Sequence, residues 1–419
     1  MTTSTQVDAI LRDDYKSYRE NLNNRAFLLA QIGNKKDTVR GRIARHAIHT
    51  GRSGAIGARR EGVALPIADR QRHATVPVPV RWMTGRIQLT VQLMRMATGD
   101  PGSFVDALES EMEIQNDAMR DVNRQLHGTS NGVMATCGTT SSSTTVQLLA
   151  SNTNATKMRH FYVGRYVDIG TVADPDAVAA SRQITAVDTA NLTITISGAA
   201  VSTTSGTHFV FNANSGGASD NSGAQDDGQS EMTGLQTIAG STSAVLHTVD
   251  PSSVPVWKPQ VDSNSGTNRP FSETKLDLMI MNNMVESGAS VSALISNAGC
   301  FVGAKAVLSA YQRNIDTMEF KGGYKGIKWS TPGIAGIDGA DIGWMADYDC
   351  VANTIYGINF DALVCHQIEE GWNWMDEDGA ILSRVADQLA YEAVLYTSME
   401  LACVQRNAHF AYQDVTEAS

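Results

Sequence analysis

Residues 51–95 read GRSGAIGARREGVALPIADRQRHATVPVPVRWMTGRIQLTVQLMR. Eight arginines (Arg52, Arg59, Arg60, Arg70, Arg72, Arg81, Arg86 and Arg95) stand there against Glu61 and Asp69. The stretch opens on glycines, then alternates from residue 75 to 92, with Val76, Val78, Val80 and Trp82 followed by Ile87, Leu89 and Val91. A period of two predicts strand. Pro77 and Pro79 have no N–H to give to a ladder, so the first part cannot be a central strand. The segment reads as a long, two-stranded, arginine-rich ribbon with little apolar cover of its own. A lone ribbon is marginally stable in water, and its unpaired edges invite another chain. Burial on other copies of the same protein is therefore expected, with Arg52, Arg59, Arg60, Arg70, Arg72, Arg81, Trp82 and Arg86 as the contact residues.

The charge of the whole chain sharpens this reading. The 419 residues carry a net charge of −11. Residues 1–100 hold a surplus of nine positive charges, and residues 101–419 a deficit of twenty. A basic leading segment on an acidic body can bind nucleic acid, bind the acidic body of a neighbour, or be a solvated face. Hydrophobic residues at 42% support a sizeable core. No apolar run reaches the ~18–20 residues of a membrane span. The first residues show no basic and apolar signal pattern. The five cysteines, Cys137, Cys300, Cys350, Cys365 and Cys403, are odd in number and scattered, which fits free thiols.

Outward from the ribbon, residues 5–31 carry a weak helical stripe of Val7, Ile10, Leu11, Tyr15 and Tyr18, an amphipathic arm. Residues 103–127 predict a long helix after the Asp100-Pro-Gly-Ser103 turn, with Gly128 at its end. Residues 129–156 read as a polar Ser/Thr/Asn linker. Short strands are expected at 161–169, 183–187, 192–197 and 208–211, with a hairpin turn at Asp188-Thr-Ala-Asn191. A second polar stretch at 212–230 closes what reads as a small all-β insertion. Helices follow from Ser272 and over 298–313, then strands at 327–329, 342–345 and 354–359. Residues 381–385 predict a strand, and the apolar stretch to Phe410 is of undecided type.

No residue set makes a case for catalysis. Gly128-Thr-Ser130-Asn-Gly132 matches a nucleophile elbow only on paper, because it follows a helix where the elbow needs strand, turn and helix. His366 and Glu369 near Cys365 and Cys350 match no zinc spacing. His46 and His49 sit in a basic stretch and read as a solvated face. Asp376-Glu-Asp-Gly379 lacks the alternating ligands of a calcium loop and reads as a turn. No phosphate-binding loop or dinucleotide fingerprint occurs. The chain is expected to be no enzyme and to need no cofactor or metal.

The ordered series resembles the major capsid proteins of tailed bacteriophages, with the Hong Kong 97-like capsid fold. Gly62-Val-Ala-Leu-Pro66, the basic strand and Gly85-Arg-Ile-Gln-Leu-Thr90 are similar to the family's extended loop. Residues 100–128 are similar to its spine helix, and 166–235 to a β insertion seen in one branch. Residues 353–359 with Trp374, Asp378-Gly379 and Leu382-Ser-Arg384 are similar to its late axial strands. Leu401-Ala-Cys-Val-Gln-Arg-Asn407 is similar to a closing peripheral strand.

The resemblance implies an α+β layout. An N-terminal arm (1–50) leads to the extended loop (51–95) and then to the spine helix and peripheral domain (96–135). The β insertion (136–235), the axial domain (236–385) and a peripheral return (386–419) follow. It also implies self-assembly of hexamers and pentamers into an icosahedral shell around double-stranded DNA, bound without sequence specificity. A scaffolding protein, a portal and an outer decoration protein are the implied partners, and no membrane is. Residues 51–95 hold no lysine, so the family's lysine cross-link is not expected from this loop. The stretch before the loop is short, so no maturation cleavage is expected. Two rival readings are an encapsulin-type nanocompartment shell and a glycan-binding adhesin whose binding module is the β insertion. The working expectation is an electrostatic latch, arginine ribbon on acidic neighbour.

Overall fold

The computed structural model describes residues 27–32, 36–92, 114–149, 157–213, 231–311, 317–320, 324–330, 341–376, 379–386 and 388–418. The arm stripe at 5–26 and the first part of the long helix, 103–113, lie outside them, as do residues 377 and 378 of the acidic turn. The chain forms two compact units. The larger contains residues 26–81, 121–370 and 398–419, and the smaller residues 1–25, 82–120 and 371–397.

In the larger unit the ribbon is a hairpin with different strands from those expected. Ile43–Gly51 pairs antiparallel with Arg72–Pro79, from Ile43 opposite Pro79 to His49 opposite His73. The outgoing strand was assigned to the arm because Arg45, His46, His49 and Thr50 blur its alternation. The two alternating halves of 75–92 do not pair with each other; Arg81–Thr90 pairs with a late strand, Ala390–Cys403. The expectation of little apolar cover is corrected as well. Ala44, Ile48, Val76, Val78 and Val80 are all buried. Only the tip, 52–71, lacks both ladder and cover.

The insertion is a six-stranded antiparallel sheet with a two-stranded partner. Its order is Val133–Thr136, Phe209–Asn212, Tyr166–Gly170, Ala179–Asp188, Thr193–Ile196 and Thr145–Gln147. The polar linker expected over 129–156 is therefore partly sheet. Its threonines are β-branched and suit half-exposed strand positions. The turn at 188–191 joins two strands as expected, with Asp188 Oδ1 accepting from the N–H groups of Ala190 and Asn191. Met134, Val146, Ile169, Ile184, Ile194 and Val210 share a separate core.

A seven-stranded mixed sheet builds the second core of this unit. Ile355–Ile358, Ala293–Ser296 and Asp341–Ala346 lie at its centre. Helices Glu273–Ser287 and Ala298–Tyr311 bury Leu276, Ile280, Met284, Cys300, Ala304 and Leu308 in the same core as Trp329, Trp344 and Phe410. Gly288, with φ +69°, ends the first helix in the left-handed region that glycine adopts without strain.

The undecided late stretch is a 14-residue strand, Ala390–Cys403. Residues 398–403 are buried on both faces, so the two-residue alternation disappears there. In the smaller unit, residues 391–396 pair with Asn373–Trp374 and Ser383–Arg384. The strand expected at 381–385 is reduced to those last two residues. The Arg86–Glu392 ion pair and the Val91 N–H on Leu389 O belong to the same unit.

Candidate assembly interface

The hairpin tip is held by a few local bonds. Asp69 Oδ2 accepts from the Gly54 N–H at 2.9 Å, and Ser53 Oγ donates to Asp69 O at 3.2 Å. The bonds from Gly54 and Arg70 N–H hold the Asp69 carboxyl below its ordinary range. Gly62, at φ +76°, turns the chain at the far end. Arg52, Arg59, Arg60, Arg70 and Arg72 are exposed along the tip.

Between the arginines stand apolar side chains that the sequence reading passed over. Ile56 is 90% exposed, Leu65 87% and Ile67 90%, with Val63 beside them. Burying one such side chain is worth about 1.5–3 kcal/mol. An exposed ion pair is worth ~0–1 kcal/mol. On these magnitudes the apolar residues dominate the strength of any docking, and the arginines orient it. Aperiodic Ile and Leu in a Gly/Arg/Pro stretch were the available signal.

The other candidate residues make contacts within their own units. Trp82 is exposed, its ring 6.0 Å from that of Tyr396. Arg86 pairs with Glu392 within the smaller unit. Arg81 is internal to the larger unit: its Nε lies 3.5 Å from Glu400 Oε2, with the two side chains 5% and 1% exposed. Its expected role at the subunit surface is corrected to one at the root of the hairpin.

That root gathers titratable side chains from several elements. His46, on the outgoing hairpin strand, places Nε2 2.6 Å from Nε2 of buried His366, and the rings stack at 4.9 Å. His366 stands opposite Glu400 in the strand register. Glu400 Oε1 accepts from the Thr233 N–H at 2.8 Å. Burial outweighs Arg81 and these bonds and pushes the Glu400 carboxyl up to about 7. Buried His247 is pushed down to about 3 by desolvation and by the charges of Arg81, His46 and Arg406. Among the described residues no group of three or more His, Cys, Asp or Glu is arranged to hold a metal ion.

A second polar cluster fastens the insertion to the rest of the larger unit. Arg159 Nη2 and His160 Nε2 both lie 2.6 Å from the Asp349 carboxylate, and Asn123 donates to it at 2.6 Å. Against the burial that opposes it, His160 and Arg159 hold Asp349 well below the carboxylate range. Arg165 donates to Asp121 at 3.0 Å. The helix Ile114–His127 thus ends in a hydrogen-bonded foot under the insertion.

No protein-family model matches the chain, and no curated protein matches its sequence. Solved structures do match. A chain of the cyanophage A-1(L) capsid asymmetric unit superposes with a TM-score of 0.60 at 10% identity, over 99% of this chain and 100% of that one. A chain of the native GTA particle capsid matches with a TM-score of 0.49 at 8% identity, over 99% of each. The holo-SrpI encapsulin complex from Synechococcus elongatus PCC 7942 gives 0.44 at 7%, over 99% of this chain and 96% of that one. The first of these establishes the class of architecture: a mixed α+β fold shared, end to end, with a phage capsid subunit.

Proposed function

We propose that this chain is the major capsid protein of a tailed bacteriophage, a structural protein and no enzyme. It self-assembles into an icosahedral shell around double-stranded DNA. The reading rests above all on a fold shared over the full length of both chains with a cyanophage capsid subunit. The exposed hairpin tip supports it, because Ile56, Leu65 and Ile67 are each almost fully exposed. In this reading the layout is Hong Kong 97-like, and the tip lies across the acidic body of a sister copy. Arg52, Arg59, Arg60, Arg70 and Arg72 orient it, and Trp82 and Arg86 are further contacts between subunits. Hexamers and pentamers form on a scaffolding protein in the host cytoplasm, with a portal at one vertex and room for a decoration protein outside.

Electron microscopy of the expressed protein, with and without a co-expressed scaffold, tests this directly. Uniform icosahedral particles are expected. A concentrated preparation that stays monomeric under both conditions refutes the reading.

A further inference from the structure

We propose that the root of the hairpin is a proton-operated latch, formed by His46 and His366 on one side and Arg81 and Glu400 on the other, that sets whether the hairpin is fixed or free to swing. As a control on assembly it rests on the capsid reading above; as a property of the subunit it does not.

The geometry puts every part at the junction. His46 lies on the outgoing hairpin strand, and Arg81 two residues after the returning one ends at Pro79. Their partners, His366 and Glu400, lie on two adjacent strands of the body and face each other in register. Asp37 continues that register row on the next strand. Buried His247 lies nearby, with Arg81, His46 and Arg406 as its charged neighbours. Each hairpin strand is thus tied to the body through a titratable contact.

The two contacts respond to protons in opposite ways. In the short Nε2 to Nε2 contact of His46 and His366 one ring donates and the other accepts. One added proton leaves a charged ring bonded to a neutral one; protonation of both rings places two like charges 2.6 Å apart, so the acid extreme drives the pair open. Glu400 is fully enclosed, and its carboxyl titrates at about 7 while closed. Opened to water it returns to the ordinary range near 4.3. The closed root then holds a proton that the open one lacks between these values. By linkage, opening grows as pH rises across that window and levels off above 7. The root is therefore tightest in a mildly acidic band, loosening below it as the histidine pair charges and above it up to neutral pH.

Hydrogen exchange of the unassembled subunit tests the latch, read as protection factors for residues 44–48, 74–76 and 78 across pH 4.5–8. The wild type should show a maximum. Glu400→Gln should abolish the fall on the higher-pH side, which otherwise runs at up to about tenfold per pH unit. His46→Gln should abolish the fall on the acid side. Identical profiles in the three proteins overturn the latch. Particle formation by the same proteins is scored separately by microscopy. Matching profiles with normal particles refute the latch alone; distinct profiles with no particles from any protein refute the capsid reading alone.

Discussion

Arg124 Nη2 donates to Glu231 Oε1 at 2.6 Å, joining side chains 107 positions apart, both almost wholly out of water. Arg124 also donates from Nε to Asp121 at 2.9 Å, so one guanidinium serves a buried and a half-buried carboxylate. The pair closes the polypeptide at the two ends of the β insertion. Removing one partner of a buried pair leaves the other charge uncompensated, a loss of about 3–5 kcal/mol. Glu231→Ala should therefore lower the unfolding free energy by roughly 3 kcal/mol in denaturant titrations. The double variant with Arg124→Met should recover part of that loss. A Glu231→Ala protein as stable as the parent would show the pair to be idle.

Arg406 is fully buried and donates to four carbonyls: Ile238, Ala244, Thr237 and Ser241, at 2.7–3.0 Å. A lysine carries charge but cannot reproduce a planar fork of donors. Arg406→Lys should cost about 3 kcal/mol, since each orphaned buried acceptor costs ~1–3 kcal/mol. Thermal unfolding checks this, and an unchanged midpoint would contradict it.

His409 accepts the Asn359 N–H on Nδ1 at 3.3 Å, and burial pushes its pKa down to about 3. His247 is pushed equally low. The unfolded chain takes up protons on both below pH ~6.5, while the folded one refuses them. Stability contributed by each is present above that value and lost as pH falls toward 3, at about 1.4 kcal/mol per pH unit. Glu400 acts with the opposite sign, losing its contribution as pH rises toward 7. His409→Gln should flatten the acid dependence of the melting temperature by one such increment between pH 4 and 6. A slope equal to that of the parent would be the contrary result.

At the hairpin tip, Ile56→Ser, Leu65→Ser and Ile67→Ser combined should leave subunit stability within about 0.5 kcal/mol, as for surface changes. They should nonetheless abolish particles. Changing Arg59, Arg60, Arg70 and Arg72 to Glu should weaken assembly most at low salt, where exposed charges act over ~10 Å or more. Sedimentation and microscopy at two ionic strengths separate the two effects. Normal particles from the triple serine variant would remove the tip from the interface.

The legible parts of the fold were those whose order is local. The Ser272 start and the apolar Leu276, Leu278, Met279 and Met281 made the helix Glu273–Ser287 readable, although the face it buries is Leu276, Met279, Ile280 and Met284. Asp188 and Asn191 announced their own turn. The outgoing hairpin strand was not readable, because His46 and Arg45 break its pattern for reasons that lie in other elements. The last long strand hid for the same reason. Glu400 can be buried there only because Arg81 and Thr233, both remote in sequence, meet it. Of the candidate contacts, the tip arginines were visible as composition. The isoleucines and leucine beside them are conspicuous only once the fold shows how exposed they are.

The Val80 N–H bonds to Arg42 O across the hairpin. Pro77 and Pro79, of opposite parity along the same strand, fall where the backbone faces away from its partner. The outer margin of that strand therefore lacks two donors where a foreign strand would need them. A subunit present in many copies, each with a bare finger, risks stacking into endless fibrils. These two rings cap the margin, so in the proposed shell a sister molecule would grip it by side chains and not zip onto its backbone.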